Sequence, residues 1–243
     1  MPHHFLRYEL VDGHTHRLDL APRLASWDAA TSAAQLALTG YLGQVETLVG
    51  PTTPVTSAAL HLSVQHPDPV GIDRGHDLDN YLYPLVRHLG PNRFELARAT
   101  KSPTGPSQIA VGRAQPPSRA DEPPGWRFTS VTTTGSGERP AWKQQIHDHL
   151  TAVVTSTGRP PGPVKVELAF RIGPDRTWTN LWKPAIDSLG PIIGEGHRAY
   201  APRDDLIVSL GLHRNVVHDL AHQVELGIWW QAAEYIEPAE PSG

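Results

Sequence analysis

The pattern of hydrophobic and polar residues predicts two similar series of strands and helices, one after the other. Residues 58–65 and 164–171 alternate apolar and polar side chains, which is typical of strands with one buried face. A stretch with apolar residues at mainly helical spacing precedes each strand, at 25–48 and 140–155. Further strands are predicted at 5–11, 108–113, 126–133 and 206–212.

Two 15-residue segments, 77–91 and 177–191, indicate that the chain contains an internal duplication. At a constant offset of 100, five positions are identical. They are Asn80/Asn180, Pro84/Pro184, Leu89/Leu189, Gly90/Gly190 and Pro91/Pro191. Average composition gives only about one such match, so we interpret the chain as two copies of one β-α-β-α-β unit.

The duplication predicts an α/β (α+β) fold in which two tandem units pack as a pseudo-dimer. Unit 1 is expected at 1–114, a proline-rich linker at 115–125, and unit 2 at 126–243. Unit 2 is predicted to end in a helix over 215–236, where six apolar residues would form a buried stripe. These residues are Val216, Val217, Leu220, Val224, Ile228 and Trp229.

Composition narrows the class of protein. There is no cysteine, which excludes disulfides and cysteine-bound metal sites. No run of 18 apolar residues and no secretory signal pattern occurs, so we expect a cytoplasmic protein without membrane association. The net charge of −4 argues against a dense basic surface for nucleic acid.

The segment His76-Asp77-Leu78-Asp79-Asn80 carries the first candidate chemistry. In extended backbone, carboxylates two residues apart point to the same side, where they could hold Mg²⁺ together with a third carboxylate. An alternative interpretation is that Asp77 or Asp79 only caps the helix that begins near Asn80.

Asp77-Leu-Asp-Asn80, with Pro84 and Leu89 following it in a predicted helix, resembles the signature of the RusA family of Holliday-junction resolvases. The family pattern is Asp-x-Asp-Asn, a Lys three residues after the Asn, and then an Asp-Asp pair that opens the next strand. The resemblance implies a small homodimeric α/β fold, Mg²⁺-dependent endonuclease activity and branched or duplex DNA as partner, in DNA recombination and repair.

The first half matches only part of the family pattern. Asp77, Asp79 and Asn80 are present, but Tyr83 stands in place of the Lys. We assign Gly105-Pro106, before the strand that opens at Ser107, to the position of the acidic pair.

The second half matches the complementary part. Thr177 and Thr179 replace the two aspartates, whereas Lys183 matches the family Lys. Asp204 and Asp205 match the acidic pair that opens a strand.

Two hypotheses follow from these partial sets. In one, a composite site forms across the pseudo-dimer, with Asp77, Asp79, Asp204 and Asp205 holding Mg²⁺. The resemblance then makes Asp77, Asp79, Lys183 and Asp204 the catalytic residues, with Lys183 stabilising charge on the phosphate. In the other, both sites have decayed, because a site contained in one subunit of a two-fold dimer would leave the sets apart. We favour decay, which predicts a DNA-binding protein with weakened or lost cleavage, or a non-catalytic interaction protein.

Arginines around the second motif could contact phosphates, or could equally form a solvated face. They are Arg171, Arg176, Arg198, Arg203 and Arg214.

A competing motif lies near the N-terminus. Val11-Asp-Gly-His14-Thr-His16 resembles the Asp-x-His-x-His metal motif of amidohydrolases, which would make the protein a metal-dependent hydrolase. That family folds as a barrel of many β-α units, and this chain predicts only two short units, so we interpret the segment as a polar strand or turn. His218 and His222, at i and i+4, are interpreted as surface or partly buried residues.

Overall fold

The computed structural model describes residues 4–25, 28–54, 56–65, 77–116, 125–137, 139–196, 200–220 and 222–233. The strands are β1 Glu9–Arg17, β2 Ala58–Gln65, β3 Phe94–Ser102, β4 Gln108–Gln115, β5 Arg127–Thr133, β6 Val164–Ile172, β7 Ile207–Val216 and β8 Val224–Ala232. The helices are α1 Ala33–Val49, α2 Leu78–Leu89, α3 Pro140–Thr157, α4 Thr179–Asp187 and α5 Gly190–Ile193. The predicted mixed α+β class is confirmed.

All eight strands form one sheet in the order β1-β4-β2-β3-β7-β6-β8-β5. Read from its own edge towards the centre, the first half has the order β1-β4-β2-β3 and the second half has the order β5-β8-β6-β7. In both halves the first strand is at the edge, and the fourth, second and third strands follow it. The two halves therefore have the same topology, β-α-β-α-β-β, with one strand more than the sequence pattern predicted for each. None of the described helices is long and apolar enough to cross a lipid bilayer.

The halves meet where β3 pairs with β7 in antiparallel register, with Arg98 opposite Gly211. The β2–β3 and β6–β7 pairs begin with Ala58 opposite Phe94 and Val164 opposite Ile207, and each shifts register by one residue directly afterwards. Residues of β3 thus correspond to those of β7 at an offset of 113. Arg98 and Gly211 are counterparts, so a pseudo-two-fold axis passes between them.

One hydrophobic core runs under both halves on the face of the sheet that carries the helices. It joins side chains of α1 to α5 to alternate residues of the strands, such as Leu60 and Phe170. Local signals explain where two of the helices begin. The Ser32 side chain accepts a hydrogen bond from the Gln35 backbone N–H at 3.1 Å, and Pro140 occupies the first turn of α3.

The opposite face of the sheet carries a buried ionic cluster beside the pseudo-axis. The Glu167 carboxylate contacts His213 and accepts a hydrogen bond from Arg98 at 2.8 Å, and Arg7 lies 4.0 Å away. A Cβ at position 211 would lie 2.5 Å from this carboxylate, so Gly211 provides its space. Burial alone raises the pKa of Glu167, but His213, Arg98 and Arg7 together lower it to about 2.

The predicted C-terminal helix over 215–236 is wrong. Strand β7 continues to Val216, residues 217–220 form a turn, and β8 occupies Val224–Ala232. Val224, Leu226, Ile228 and Trp230 are all buried and alternate along β8, whereas the helical spacing combined residues from a strand, a turn and another strand.

Other boundaries also differ from the prediction. Strand β1 begins at Glu9 instead of residue 5, and α1 begins at Ala33 instead of residue 25. Strand β3 was not predicted, since Glu95, Arg98 and Thr100 interrupt its apolar residues. Most of the predicted linker, residues 117–124, and the end of the predicted C-terminal helix, 234–236, lie outside the described residues.

Replacing Glu167 with Ala should destabilise the fold by about 3 to 5 kcal/mol, because Arg98 and Arg7 would lose the buried carboxylate that compensates them. Urea unfolding measures the change. Asp12→Asn is the matched control, since that carboxylate pairs with Arg113 on the surface and its side chain is 74% exposed.

The contribution of Glu167 has a defined pH dependence, because its pKa is lowered on folding. It should be complete above its unfolded-state pKa of 4.5 and be lost as the pH falls towards about 2. Equal stability of wild type and Glu167→Ala at neutral pH would contradict this account.

Candidate metal centre

The first two carboxylates lie at the N-terminus of α2. Asp77 occupies the N-cap position with extended backbone, but its side chain makes no capping hydrogen bond to the helix. Its carboxylate accepts instead from the Asn80 side-chain amide at 3.1 Å. Asp79, in the first turn, is 4% exposed. Helix capping by a side chain therefore does not explain this pair, and a buried carboxylate needs a compensating partner.

The other half of the chain supplies a third carboxylate and a compensating ammonium, Asp204 and Lys183. Asp204 lies in a short 3₁₀ turn, Asp204–Leu206, directly before β7. Asp77, Asp79 and Asp204 each offer one oxygen, and these oxygens all lie within 4.8 Å of one another. The expectation that the two partial sets stay apart is wrong. The β3–β7 pairing places α2 beside both α4 and β7, so the start of α2 meets the loop that opens β7.

Lys183 of α4 extends into the same group. Its ammonium donates to Asp204 at 2.9 Å and lies 3.9 Å from Asp79 and 4.0 Å from Asp77. Asp187, one turn further along α4, lies 3.4 Å from Lys183 and is held by Lys143 at 2.6 Å. The sequence had indicated Lys183 but neither Lys143 nor Asp187. The i,i+4 spacing of Lys183 and Asp187 was the available signal for Asp187.

The pKa values of the group are shifted because the carboxylates lie close together and are largely buried. Burial, followed by the charge of Asp204, raises the pKa of Asp77 to about 7, although Lys183 opposes the shift. Burial raises the pKa of Asp79 to about 6, again against Lys183. The pKa of Lys183 is raised, because Asp79, Asp204 and Asp187 outweigh the effect of its own burial. One ammonium thus compensates the carboxylates only in part.

The chemistry of this group fits a divalent cation. Three carboxylate oxygens form a hard donor set of the kind that Mg²⁺ prefers, and ligands on opposite sides of a Mg²⁺ are about 4.2 Å apart. The three oxygens lie within 4.8 Å of one another and must move closer together to share one ion, because adjacent ligands of an octahedral Mg²⁺ are about 3 Å apart. Asp77, Asp79 and Asp204 are therefore the residues that could hold such an ion.

Asp205, the fourth predicted ligand, lies outside the three-carboxylate group. Its carboxylate accepts hydrogen bonds from Arg203 at 2.9 and 3.0 Å. Its backbone carbonyl accepts from Lys101 at 2.6 Å. Asp205 therefore shapes the turn that presents Asp204.

The counterpart location in the other half has other residues in place of these carboxylates. Thr177 and Thr179 lie at the start of α4 where Asp77 and Asp79 begin α2, and Tyr83 is the counterpart of Lys183. The register shows that Pro91-Asn92, before β3, is the counterpart of Asp204-Asp205, so the assignment of Gly105-Pro106 is wrong. Arg214 donates to the Asn92 carbonyl at 3.0 Å, as Lys101 does to that of Asp205.

The predicted phosphate-binding arginines differ in their partners. Arg171 pairs with Glu225, Arg203 with Asp205, and Arg214 with Glu95. Arg176 is different, because its guanidinium donates to backbone carbonyls, those of His222 at 2.9 Å and Gly135 at 3.0 Å. Arg198 lies outside the described residues.

The histidine motif lies on β1, at the edge of the sheet. His14 and His16 pair with Val111 and Ile109 of β4. Asp12 of the same motif accepts from Arg113 at 2.8 Å. The group of three metal-ligating side chains found in the described ranges, Asp77, Asp79 and Asp204, includes neither histidine.

Comparisons with known proteins leave the family open. No protein-family model matches the sequence, and no curated protein matches it. Among solved structures, a cyanuric acid hydrolase is similar at 12% sequence identity and a TM-score of 0.23, over 92% of this chain and 68% of that chain. A TM-score this low carries no conclusion on fold or function.

Asp77→Asn should stabilise the metal-free protein at pH 8 by up to about 4 kcal/mol, because each pKa unit corresponds to about 1.4 kcal/mol. The folded-state pKa of Asp77 is about 7 against a model-compound value of 3.8, so ionisation of Asp77 destabilises the fold increasingly between these pH values. The stabilisation by the variant should grow from about pH 4 to pH 7 and then level off.

Urea unfolding in EDTA at several pH values measures this difference. Asn keeps an oxygen for the hydrogen bond from Asn80. Asp148→Asn, an exposed carboxylate on α3, is the control and should show no such trend. A stabilisation by Asp77→Asn that is independent of pH would contradict the assignment.

Proposed function

We propose that the protein is a Mg²⁺-dependent endonuclease of RusA-like type that acts on branched or duplex DNA through a single composite site. The observation that carries the proposal is the convergence of Asp77 and Asp79 from one half with Asp204 and Lys183 from the other. These are the residues that the resemblance to the RusA family assigns to catalysis. The proposal includes a cytoplasmic location, because a recombination nuclease must reach its DNA.

The aspartates and Lys183 would have different roles in phosphodiester hydrolysis. A bound divalent cation would supply charge neutralisation at the scissile phosphate and a nucleophile at neutral pH. Asp77, Asp79 and Asp204 would hold and orient it. Lys183 can turn its ammonium towards a non-bridging phosphate oxygen and stabilise the charge that develops there. Its side chain is 47% exposed.

The burial of the carboxylates favours an active site over a scaffold that keeps only the fold. Raised pKa values of Asp77 and Asp79 come from burial and like charge, a combination that is unfavourable for stability and typical of functional sites. A binding protein without chemistry would gain nothing from that arrangement.

Cleavage of a synthetic four-way junction with Mg²⁺ should be abolished in Asp77→Asn/Asp79→Asn, because two of the three carboxylate ligands lose their charge. Lys183→Met should reduce the rate about 10²- to 10³-fold, the usual effect of losing one group that stabilises transition-state charge. Gel electrophoresis of labelled junction strands measures both.

Asp148→Asn is the matched control and should cut as wild type does. Binding of the junction without cutting, in wild type as in the variants, would contradict the proposal and support an interaction protein. Stoichiometric zinc that is lost in His14→Ala would support the hydrolase hypothesis instead.

One three-carboxylate site in the described part of the chain predicts one incision per binding event. With supercoiled plasmid carrying a cruciform and protein below plasmid concentration, nicked circles should form first and linear product should appear only later. Agarose electrophoresis over time distinguishes the two products. Linear DNA that appears without a nicked precursor would contradict a single cutting site.

A further inference from the structure

A cleft of about 750 Å³ lies beside the half-site in which other residues replace the carboxylates. Its lining includes residues 135–137, residues 173–177 with Asp175, Arg176 and Thr177, and also Asn180, His218 and His222. Thr177 and Asn180 are the counterparts of Asp77 and Asn80. The cleft therefore borders, in the second half, two positions that correspond to the start of α2 in the first.

Arg176 is held in this cleft by two loops at once. It donates to the His222 carbonyl before β8 and to the Gly135 carbonyl between β5 and α3. These bonds fix the guanidinium and use two of its five N–H groups. No carboxylate pairs with it within the described part of the chain. Partial burial lowers the pKa of Arg176, as expected for a cation without such a partner.

The second half-site lacks the excess of carboxylates that surrounds the first. The acidic group contains Asp77, Asp79, Asp187 and Asp204, whose counterparts are Thr177, Thr179, Arg87 and Pro91. In the cleft, Asp175 is the one carboxylate among the described lining residues, against Arg176 and two imidazoles. In the second half, carboxylates that could bind a cation are therefore replaced by side chains that can donate hydrogen bonds. The Arg176 guanidinium is held in place, and His218 and His222 can also donate.

We propose that this cleft binds a phosphodiester segment of a DNA strand and holds it without cutting it. Arg176 and the two histidines donate to phosphate oxygens, and the Asn180 amide provides a further donor. Thr177 and Thr179 supply no negative charge for a divalent cation, so the bound phosphate is not hydrolysed. The choice of ligand rests on the proposed nuclease function, whereas its anionic character is inferred from Arg176, whose observed hydrogen-bond acceptors are backbone carbonyls.

The test measures binding in EDTA, so that no cutting occurs. A short fluorescent oligothymidylate and, separately, inorganic phosphate are titrated into the full chain. NMR signals of the His218 and His222 imidazoles should shift with both ligands, while those of His14 and His16 on β1 stay unchanged. Arg176→Gln should weaken oligothymidylate binding about tenfold and lower the salt slope by about 0.7 for each phosphate that the variant no longer neutralises.

Arg176 also joins two loops, so its replacement can disturb the fold. His218→Gln/His222→Gln is therefore the second variant, and it should weaken binding severalfold with an unchanged circular dichroism spectrum. Arg113→Gln, an exposed cation on β4, is the matched control and should bind as wild type does.

Unchanged oligothymidylate binding in the histidine double variant, or no imidazole shift with either ligand, would overturn the proposal. Shifts with inorganic phosphate alone would overturn it too, because the cleft would then take a free anion instead of a strand. A nuclease assay without cleavage would contradict only the proposed function, since binding in EDTA does not depend on it.

Discussion

The antiparallel pairing of β3 with β7 sets the arrangement of the two halves and of the residues between them. It joins two similar half-sheets into one sheet of eight strands and places Arg98 opposite its own counterpart, Gly211. Because the strands meet about a pseudo-two-fold axis, the helix that follows β2 packs beside the helix that follows β6. The start of α2 thereby comes close to the turn before β7, and carboxylates separated by more than 120 residues in sequence form one group.

A duplicated chain can make its halves unequal, which a homodimer cannot do. Around the axis, Glu167 has His61 as its counterpart, and Arg98 has Gly211, so that a single buried ionic cluster forms on one side. The acidic group shows the same asymmetry, since Asp79 corresponds to the buried Thr179. In a homodimer a substitution in the site changes both copies of that site. In this chain the same substitution changes only one half-site. The two half-sites are then free to take different roles.

The sequence predicted the parts of the fold that repeat locally. Alternation identified β2, β6 and most of β7, and helical spacing identified most of α3. The hydrophobic pattern failed in the C-terminal segment. Apolar residues of β7, of the following turn and of β8 together have a helical spacing there, although these described residues form no helix. The pattern also failed at β3, a central strand whose polar Arg98 and Thr100 have partners in β6 and β2.

The candidate site was predictable by residue but not by arrangement. Asp77, Asp79, Lys183 and Asp204 could be singled out from their spacing and their resemblance to a known motif. Whether they meet depends on which strand of each half forms the shared edge, and local sequence does not encode that choice. The unpredicted β3 also obscured the register between the halves. Lys143 reaches Asp187 only through the tertiary fold, whereas the i,i+4 spacing of Lys183 and Asp187 was a local signal that the sequence analysis missed.

Anomalous scattering from Mn²⁺ in crystals of the intact protein tests the composite site most directly, because it locates the ion without relying on activity. We expect one peak per chain, within coordination distance of Asp77 and Asp79 from the first half and Asp204 from the second. A peak at His14 and His16, or the absence of a peak between the three carboxylates at saturating Mn²⁺, would contradict a metal centre shared by the two halves.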